Sequence, residues 1–142
     1  MKSKIMVVED SPINMRLIEM TLRTQRYTLL KAVDGEQALN IARMERPDLI
    51  IMDIQLPGMS GLEVTRRLRE IPSFKQTPII GITAYAMKGD REKVLESGCD
   101  AYMSKPIDTR ELPEVIHGML SQKQEGTPGA EGGSGGEEGT DN

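Results

Sequence analysis

The chain is poor in several residue types that mark particular protein classes. Its 142 residues include one cysteine, one histidine and no tryptophan. A single cysteine excludes an internal disulfide framework and is typical of a reducing compartment. No apolar run approaches the ~20 residues that a membrane-spanning helix needs, and the N-terminal Met-Lys-Ser-Lys does not begin a signal peptide. We therefore expect a soluble cytoplasmic protein with no membrane partner.

Basic residues are missing from the C-terminal part of the chain. The formal net charge is -4, and residues 125–142 hold five acidic side chains and no Lys or Arg. The rest of the chain is nearly neutral and shows no basic stripe, which argues against a nucleic-acid partner. The same segment contains seven of the fourteen glycines and cannot bury a core. We expect one domain over residues 1–121 and a disordered Gly/Glu-rich tail over residues 122–142.

Four short apolar runs are each followed by a polar residue. Short runs rich in Val and Ile that alternate with stretches of helical spacing are typical of buried parallel strands joined by helices. With a further strand at residues 27–32, they predict an α/β fold, a doubly wound five-stranded parallel sheet with five helices in three layers. The runs are residues 5–8 before Glu9 and Asp10, 49–52 before Asp53, 79–82 before Thr83, and 102–104 before Lys105.

Capping residues predict where the helices begin and end. Ser11 followed by Pro12 predicts the start of the first helix, which should end near residue 25. Asp108 and Glu111 form a capping pattern for the last helix, and Pro113 inside it predicts a delayed or kinked start because proline lacks a backbone N–H. We expect the second and fourth helices at about 35–46 and 87–97, with the third ending at a proline, residue 72.

The polar residues after the strands predict a site for phosphate chemistry. The carboxyl ends of parallel strands share one sheet edge, where open α/β sheets bind ligands. If the first and third strands are neighbours, Glu9, Asp10 and Asp53 meet there, and clustered carboxylates favour a hard cation such as Mg²⁺. Asp53 could then attack phosphorus and become an aspartyl phosphate, while Lys105 and the Thr83 hydroxyl bind phosphoryl oxygens.

Each of these residues also has an ordinary structural explanation. An aspartate after a strand often begins a turn, a Lys-Pro pair is often only a turn, and threonine favours strands. The functional interpretation depends on the occurrence of four such positions at one sheet edge.

As a set, four stretches of this sequence resemble the receiver domain of two-component response regulators, the CheY-like fold. The similarity covers residues 4–121 and implies the strand order 2-1-3-4-5 of a flavodoxin-like sheet. The nearest similarity is to DivK-like single-domain regulators, although comparable stretches occur in receiver domains fused to hybrid kinases. The motifs are residues 7–10 (Val-Val-Glu-Asp), 49–61, 82–84 (Ile-Thr-Ala) and 98–106.

The resemblance implies how the acidic residues act. Asp53 would be the phosphoacceptor, and Asp10 and Asp53 would bind Mg²⁺ directly. Glu9 would act largely through a metal-bound water, and the backbone carbonyl of Gln55 would be a further ligand. Gln55 and Tyr85 match variable positions beside the phosphoryl group, where a bulky Tyr85 is expected to shield it from water and lengthen its lifetime.

The resemblance also implies a phosphoryl-binding group and a switch. Lys105, the Thr83 hydroxyl and the backbone N–H of Ala84 would contact the phosphoryl group. Thr83 and Tyr102 match the family's switch pair, in which the hydroxyl moves to the phosphoryl group and the aromatic ring turns inward. Lys105 and Pro106 match a cis peptide bond of the family.

The implied partners are a histidine kinase or histidine phosphotransfer protein and a downstream protein. The first helix carries two apolar stripes, of which one can pack on the sheet: Met15, Ile18 and Leu22, and nearly opposite them Ile13, Leu17 and Met20. We expect Ile13 and Leu17 to dock the phosphoryl donor, unless the stripe is a broad core-facing one. The downstream protein is expected on helix 4, strand 5 and helix 5, near Tyr102.

The function implied is a phosphorylation-switched signalling module, with no chemistry beyond self-catalysed phosphoryl transfer to Asp53 and slow autodephosphorylation. A phosphorelay shuttle or a receiver fragment of a hybrid kinase is an alternative. An aspartate-nucleophile phosphatase would need a second acid where this chain has Gln55, which cannot protonate a leaving group. A receiver that works without phosphate is disfavoured because the acidic, hydroxyl and basic residues of the site are all present.

Overall fold

The computed structural model describes residues 2–84 and 89–125, with side chains as far as residue 122. Within these residues, five strands alternate with five α-helices. The strands are β1 (Ser3–Val8), β2 (Tyr27–Ala32), β3 (Leu49–Asp53), β4 (Ile79–Thr83) and β5 (Ala101–Ser104). The helices are α1 (Pro12–Leu22), α2 (Gly35–Glu45), α3 (Gly61–Glu70), α4 (Asp90–Glu96) and α5 (Glu111–Glu125), with a 3₁₀ turn at Pro72–Phe74.

The strands form one parallel sheet in the order β2-β1-β3-β4-β5. This confirms the predicted fold and order. β1 lies beside β3, with Val8 paired to Met52. Glu9 and Asp53 therefore lie next to each other at the carboxyl edge of the sheet, as the sequence prediction required.

Helices cover both faces of the sheet and create two apolar clusters. Met6 and Val8 of β1 point to one face and pack in a cluster with α2, α3 and Val94 of α4. Ile5 and Val7 point to the other face and pack with α1 and α5. Alternating strand residues thus supply both cores, and each fully buried aliphatic side chain contributes about 1.5–3 kcal/mol. The three-layer architecture follows from this two-sided burial.

The first helix begins where its capping residue predicts. The Asn14 N–H donates to Ser11 Oγ at 3.3 Å, and Pro12 occupies the first turn. The helix ends at Leu22, earlier than expected, because the next residues form a turn in which the Gln25 N–H donates to the Leu22 carbonyl. This turn leads directly into β2.

The last helix begins late and ends late. Asp108 Oδ1 accepts the N–H groups of Arg110 and Glu111, and α5 then starts at Glu111. Pro113 falls in the first turn, where a missing N–H costs little, so the expected delay is present. α5 extends to Glu125, beyond the domain boundary predicted at residue 121, because residues 119–125 contain no Gly or Pro. The rest of the predicted tail lies outside the described residues.

The region around α4 is described in part. Residues 85–88, which include Tyr85 and the expected beginning of the fourth helix, lie outside the described residues. α4 spans Asp90–Glu96, and Gly98 follows with a φ of 119°, a conformation that favours glycine. None of the helices in the described parts of the chain is both long and apolar enough to cross a membrane.

Candidate functional site

Three carboxylates meet at the carboxyl edge of the sheet. Glu9 and Asp10 follow β1, and Asp53 is the last residue of β3. One oxygen of each carboxylate lies within 4.8 Å of an oxygen of the other two. Glu9 and Asp53 are each 2% exposed, whereas Asp10 is exposed. Two of the negative charges are thus held away from water, and the third lies at the opening of the site.

Backbone groups orient the two buried carboxylates. Glu9 Oε2 accepts the Ser11 N–H at 3.1 Å, and Asp53 Oδ1 accepts the Gln55 N–H at 3.0 Å. The loop after Asp53 returns so closely that a Cβ on Gly61 would overlap the backbone oxygen of Asp53. Glycine at this position therefore lets α3 begin directly against the end of β3.

Lys105 supplies the basic group of the site. Its Nζ lies 3.1 Å from Asp53 Oδ2 and 3.5 Å from Glu9 Oε1. Its backbone N–H donates to the Thr83 carbonyl at 2.8 Å, which fixes the end of β5 against the end of β4. The Lys105–Pro106 peptide bond is cis, as the resemblance implied. Lys105 pairs with two of the three carboxylates, so the cluster keeps an excess of negative charge.

The crowding of charge changes how the site binds protons. Burial, together with the hydrogen bond and negative charge of Asp53, raises the pKa of Glu9 to about 7, against partial opposition from the Ser11 N–H and Lys105. Burial alone would lower the pKa of Lys105, but its bonds to Asp53 and Glu9 raise it. Lys105 therefore stays charged, whereas Glu9 takes up a proton near neutral pH when no cation is bound.

The donor set fits a hard divalent cation. All three side chains offer carboxylate oxygens, which Mg²⁺ prefers, and the excess negative charge gives a cation a favourable place to bind. Gln55, whose backbone carbonyl was the further predicted ligand, lies in the loop after Asp53, and its N–H holds Asp53 Oδ1.

Thr83 and Ala84 lie on the other side of Asp53. Thr83 ends β4 and is fully buried. Gln55 Nε2 donates to Thr83 Oγ1 at 2.7 Å, and Gln55 Oε1 accepts the Ala84 N–H at 2.9 Å. The resemblance implied a variable position beside the phosphoryl group for Gln55, but not these two bonds, because the reach of its side chain across to β4 depends on a rotamer and not on any motif.

Tyr102 lies half-buried on β5, opposite Gly81. Its ring packs against the apolar cluster formed with α2 and α3. Burial, with a smaller contribution from the nearby Asp90 carboxylate, raises its pKa. Tyr102 therefore lies two register positions before the Thr83–Ser104 pair and beside the beginning of α4.

The outer surface of α1 is apolar next to the acidic cluster. Ile13 is 80% exposed and Met20 is 57% exposed, while Met15, Ile18 and Leu22 are buried as expected. Leu17 is only partly exposed, because it packs against the cluster shared by α1 and α5. A cleft of about 390 Å³ runs from the acidic cluster along this helix, lined by Glu9, Asp10, Pro12, Met15, Arg16, Glu19 and Val33.

Comparisons with known proteins agree with this geometry. The polar-differentiation response regulator DivK of Brucella anthropi is 44% identical over 120 residues, which cover 84% of this chain and 98% of that protein. The receiver domain of a sensor histidine kinase from Pseudomonas aeruginosa PAO1, with a magnesium ion coordinated in its active-site cleft, superposes with a TM-score of 0.79. It is 36% identical, and the match covers 85% of this chain and 99% of that one.

Other solved structures carry the same fold. The chemotaxis response regulator CheY4 of Vibrio cholerae superposes with a TM-score of 0.79 at 27% identity, over 84% of this chain and 99% of that chain. The family model of the response regulator receiver domain matches residues 5–117, which contain the three clustered carboxylates as well as Thr83, Ala84 and Lys105. The chain belongs to the response regulator receiver domain family and is DivK-like.

Proposed function

We propose that Asp53 is the phosphoacceptor of this receiver domain and that the reaction depends on Mg²⁺ held by Glu9, Asp10, Asp53 and the Gln55 backbone carbonyl. The observation that carries the proposal is the surroundings of Asp53. Its buried carboxylate is bonded to Lys105 and lies within reach of two further carboxylates. The carboxylates attract a cation to one side of Asp53, and Lys105 lies on the other side, where it can neutralise a phosphoryl group.

The phosphoryl donor is a phosphohistidine of a histidine kinase or phosphotransfer protein. A carboxylate oxygen of Asp53 forms a bond to phosphorus as the bond from phosphorus to the imidazole nitrogen breaks, and the imidazole leaves with the electron pair. Bound Mg²⁺ would neutralise the carboxylates and stabilise charge on the phosphoryl oxygens. Lys105, which is already paired with Asp53, would then pair with the negatively charged oxygens of the phosphoryl group.

The phosphoryl group acts as a switch through β4 and β5. The Thr83 hydroxyl and the Ala84 N–H bind phosphoryl oxygens, and the Tyr102 ring turns into the space that Thr83 leaves. The downstream protein binds the surface of α4, β5 and α5, where Tyr102 lies. Autodephosphorylation returns the domain to its resting state, and the protein works in the cytoplasm.

Phosphorylation by a small donor tests the proposal. In Mg²⁺ and acetyl phosphate, we expect the intact mass of the protein to rise by a single phosphoryl group. Asp53→Asn and added EDTA should each abolish the adduct. An adduct that persists in Asp53→Asn would contradict the assignment of the phosphoacceptor.

The exposed face of α1 gives the docking site for the phosphoryl donor. Ile13 lies at the beginning of α1, directly after the acidic cluster, and is almost free of intramolecular contacts, with 80% of its surface exposed. Leu17 contributes less because part of its side chain packs internally. The cleft beside Glu9 and Asp10 opens along α1. A donor that presents its phosphohistidine to Asp53 through this cleft would therefore contact Ile13.

Ile13→Ala tests the docking site. It should slow transfer from a phosphorylated histidine phosphotransfer protein about tenfold, the effect of losing one well-packed contact, and leave phosphorylation by acetyl phosphate unchanged. Met44→Ala is the matched control, because Met44 is 79% exposed on α2. Equal slowing by both variants, or none by Ile13→Ala, would exclude this face.

A further inference from the structure

The side chain of Gln55 holds the two groups that the proposed function assigns to phosphoryl binding. Its Nε2 donates to Thr83 Oγ1 at 2.7 Å, and its Oε1 accepts the Ala84 N–H at 2.9 Å. The backbone N–H of the same residue donates to Asp53 Oδ1 at 3.0 Å. The side chain therefore connects the loop after β3 to the end of β4 through two hydrogen bonds, while the backbone N–H of the same residue orients Asp53.

The orientation of the amide follows from its partners. A backbone N–H can only donate, so the atom facing Ala84 must be the carbonyl oxygen of the side chain. The NH₂ group then faces Thr83, whose hydroxyl oxygen accepts from it. The two bonds thus require one amide orientation and use both the oxygen and the nitrogen of the group.

The amide and a phosphoryl group compete for the same contacts. The Ala84 N–H carries one proton and cannot make a strong bond to Gln55 Oε1 and to a phosphoryl oxygen at the same time. Thr83 is buried and bonded to Gln55, so its hydroxyl must leave this partner before it can move toward Asp53. A charged phosphoryl oxygen is a stronger acceptor than a neutral amide, which favours the exchange once Asp53 is phosphorylated.

We propose that Gln55 is a positioning residue whose side-chain amide latches Thr83 and Ala84 in the resting arrangement and must release both when the phosphoryl group binds. The proposal rests on the proposed function of Asp53. Gln55 lies on the loop that follows Asp53, so the residue that is phosphorylated and the residue that releases Thr83 and Ala84 belong to one short segment. Because the latch stabilises the resting state, its removal should favour the phosphoryl-bound state.

A variant without the amide tests the competition. Gln55→Met keeps a similar length and volume and retains the backbone N–H and carbonyl. With Mg²⁺ saturating, we expect it to bind beryllofluoride, a phosphoryl analogue, about three- to tenfold more tightly than the parent, the factor expected for one net hydrogen bond. Calorimetry gives the Mg²⁺ dissociation constant of each variant, so that beryllofluoride is titrated at saturating Mg²⁺ throughout.

Gln37→Met is the matched control. Gln37 Oε1 also accepts a backbone N–H, that of Val33 at 3.0 Å, but it lies at the beginning of α2 and contacts neither Thr83 nor Ala84. We expect its beryllofluoride affinity to equal that of the parent. Equal or weaker beryllofluoride binding by Gln55→Met at saturating Mg²⁺ would overturn the proposal. Failure of the parent and of Gln37→Met to bind beryllofluoride would instead count against the proposed function.

A second measurement needs no substitution. In isotope-labelled parent protein, the bond from Ala84 to Gln55 should give a scalar coupling between the Ala84 amide nitrogen and the side-chain carbonyl carbon of Gln55. This coupling should be present with Mg²⁺ alone and disappear when beryllofluoride is added. A coupling that persists in the beryllofluoride complex would show that the latch stays closed, and the proposal would be wrong.

Discussion

Charged side chains are well paired at the amino edge of the sheet and incompletely paired at its carboxyl edge. At the amino edge, the Arg69 guanidinium donates to the carbonyls of Gly98, Phe74 and Thr77 and to the Asp100 carboxylate, all within 2.9 Å. Each acceptor belongs to a different segment: the turn after α4, the 3₁₀ turn, the approach to β4, and the approach to β5. The arginine therefore holds four segments together, and its donors are well used.

At the carboxyl edge, Lys105 pairs with Glu9 and Asp53 while Asp10 lies beside them, and burial together with the neighbouring Asp53 raises the pKa of Glu9 to about 7. Here charge is kept close together without full compensation. The difference shows where this domain is built for stability and where it is built to bind. Removing the charge of Arg69 should therefore destabilise the protein, whereas removing the negative charge of Glu9 should stabilise it.

The largest effect is expected at Arg69. Arg69→Met should lower the free energy of unfolding by about 2–4 kcal/mol, because several carbonyls lose their donor at once. Chemical denaturation measures the change. Arg67→Met, on the same helix, removes only an exposed ion pair with Glu63 and should cost less than about 1 kcal/mol. A similar loss of unfolding free energy in the two variants would show that Arg69 contributes no more to stability than an arginine in a surface ion pair.

Glu9→Gln should act in the opposite direction. Without divalent cations and above neutral pH, it should raise the free energy of unfolding by about 1–3 kcal/mol, since a buried, crowded carboxylate is replaced by a neutral group. Glu45→Gln is the control, because Glu45 is exposed and paired with Lys4. Destabilisation by Glu9→Gln under these conditions would show that the charge at this edge is already well compensated.

Cation binding should provide the missing compensation. At a Mg²⁺ concentration ten times its dissociation constant, the parent should gain about 1.4 kcal/mol of stability by mass action. Thermal unfolding with Mg²⁺ and with EDTA measures the gain. Asp10→Asn should lose most of it. An undiminished gain in Asp10→Asn would place the cation elsewhere.

The smallest effect is a pH dependence. The pKa of Glu9 is about 7 in the folded protein and 4.5 in the unfolded chain, so the folded state binds more protons between these values. Stability in EDTA should therefore rise as the pH falls, by about 1 kcal/mol from pH ~8 to pH ~6. Denaturation curves of the parent and of Glu9→Gln should differ in this slope. Parallel slopes would mean that Glu9 does not titrate in this range.

The sequence predicts the carboxyl edge better than the amino edge. Glu9, Asp53, Thr83 and Lys105 each follow a short apolar run, and parallel strands bring such positions to one edge whatever the details of packing. Arg69 has no such signal, because its carbonyl partners are backbone groups that any residue could supply. Its role depends on how the turns between elements fold.

Side-chain reach explains the other gaps. Gln55 was expected to act through its backbone carbonyl, and its amide contacts with Thr83 and Ala84 require a rotamer that no periodicity reveals. Leu17 lies on the stripe opposite the buried one, yet it is only partly exposed because α5 packs beside α1. Which edge of a helix a neighbouring helix covers is decided by tertiary packing and not by the pattern of one helix.

The central claim is that Asp53, and not a neighbouring carboxylate, carries the phosphoryl group. Borohydride reduction of the acetyl phosphate-treated protein, followed by peptide mapping, tests it directly, because an aspartyl phosphate is reduced to homoserine at the modified residue. Homoserine is predicted at position 53 when Mg²⁺ is present, and aspartate there when EDTA replaces it. Homoserine at position 10, or an unmodified Asp53 in a protein that has gained a phosphoryl group, would contradict it.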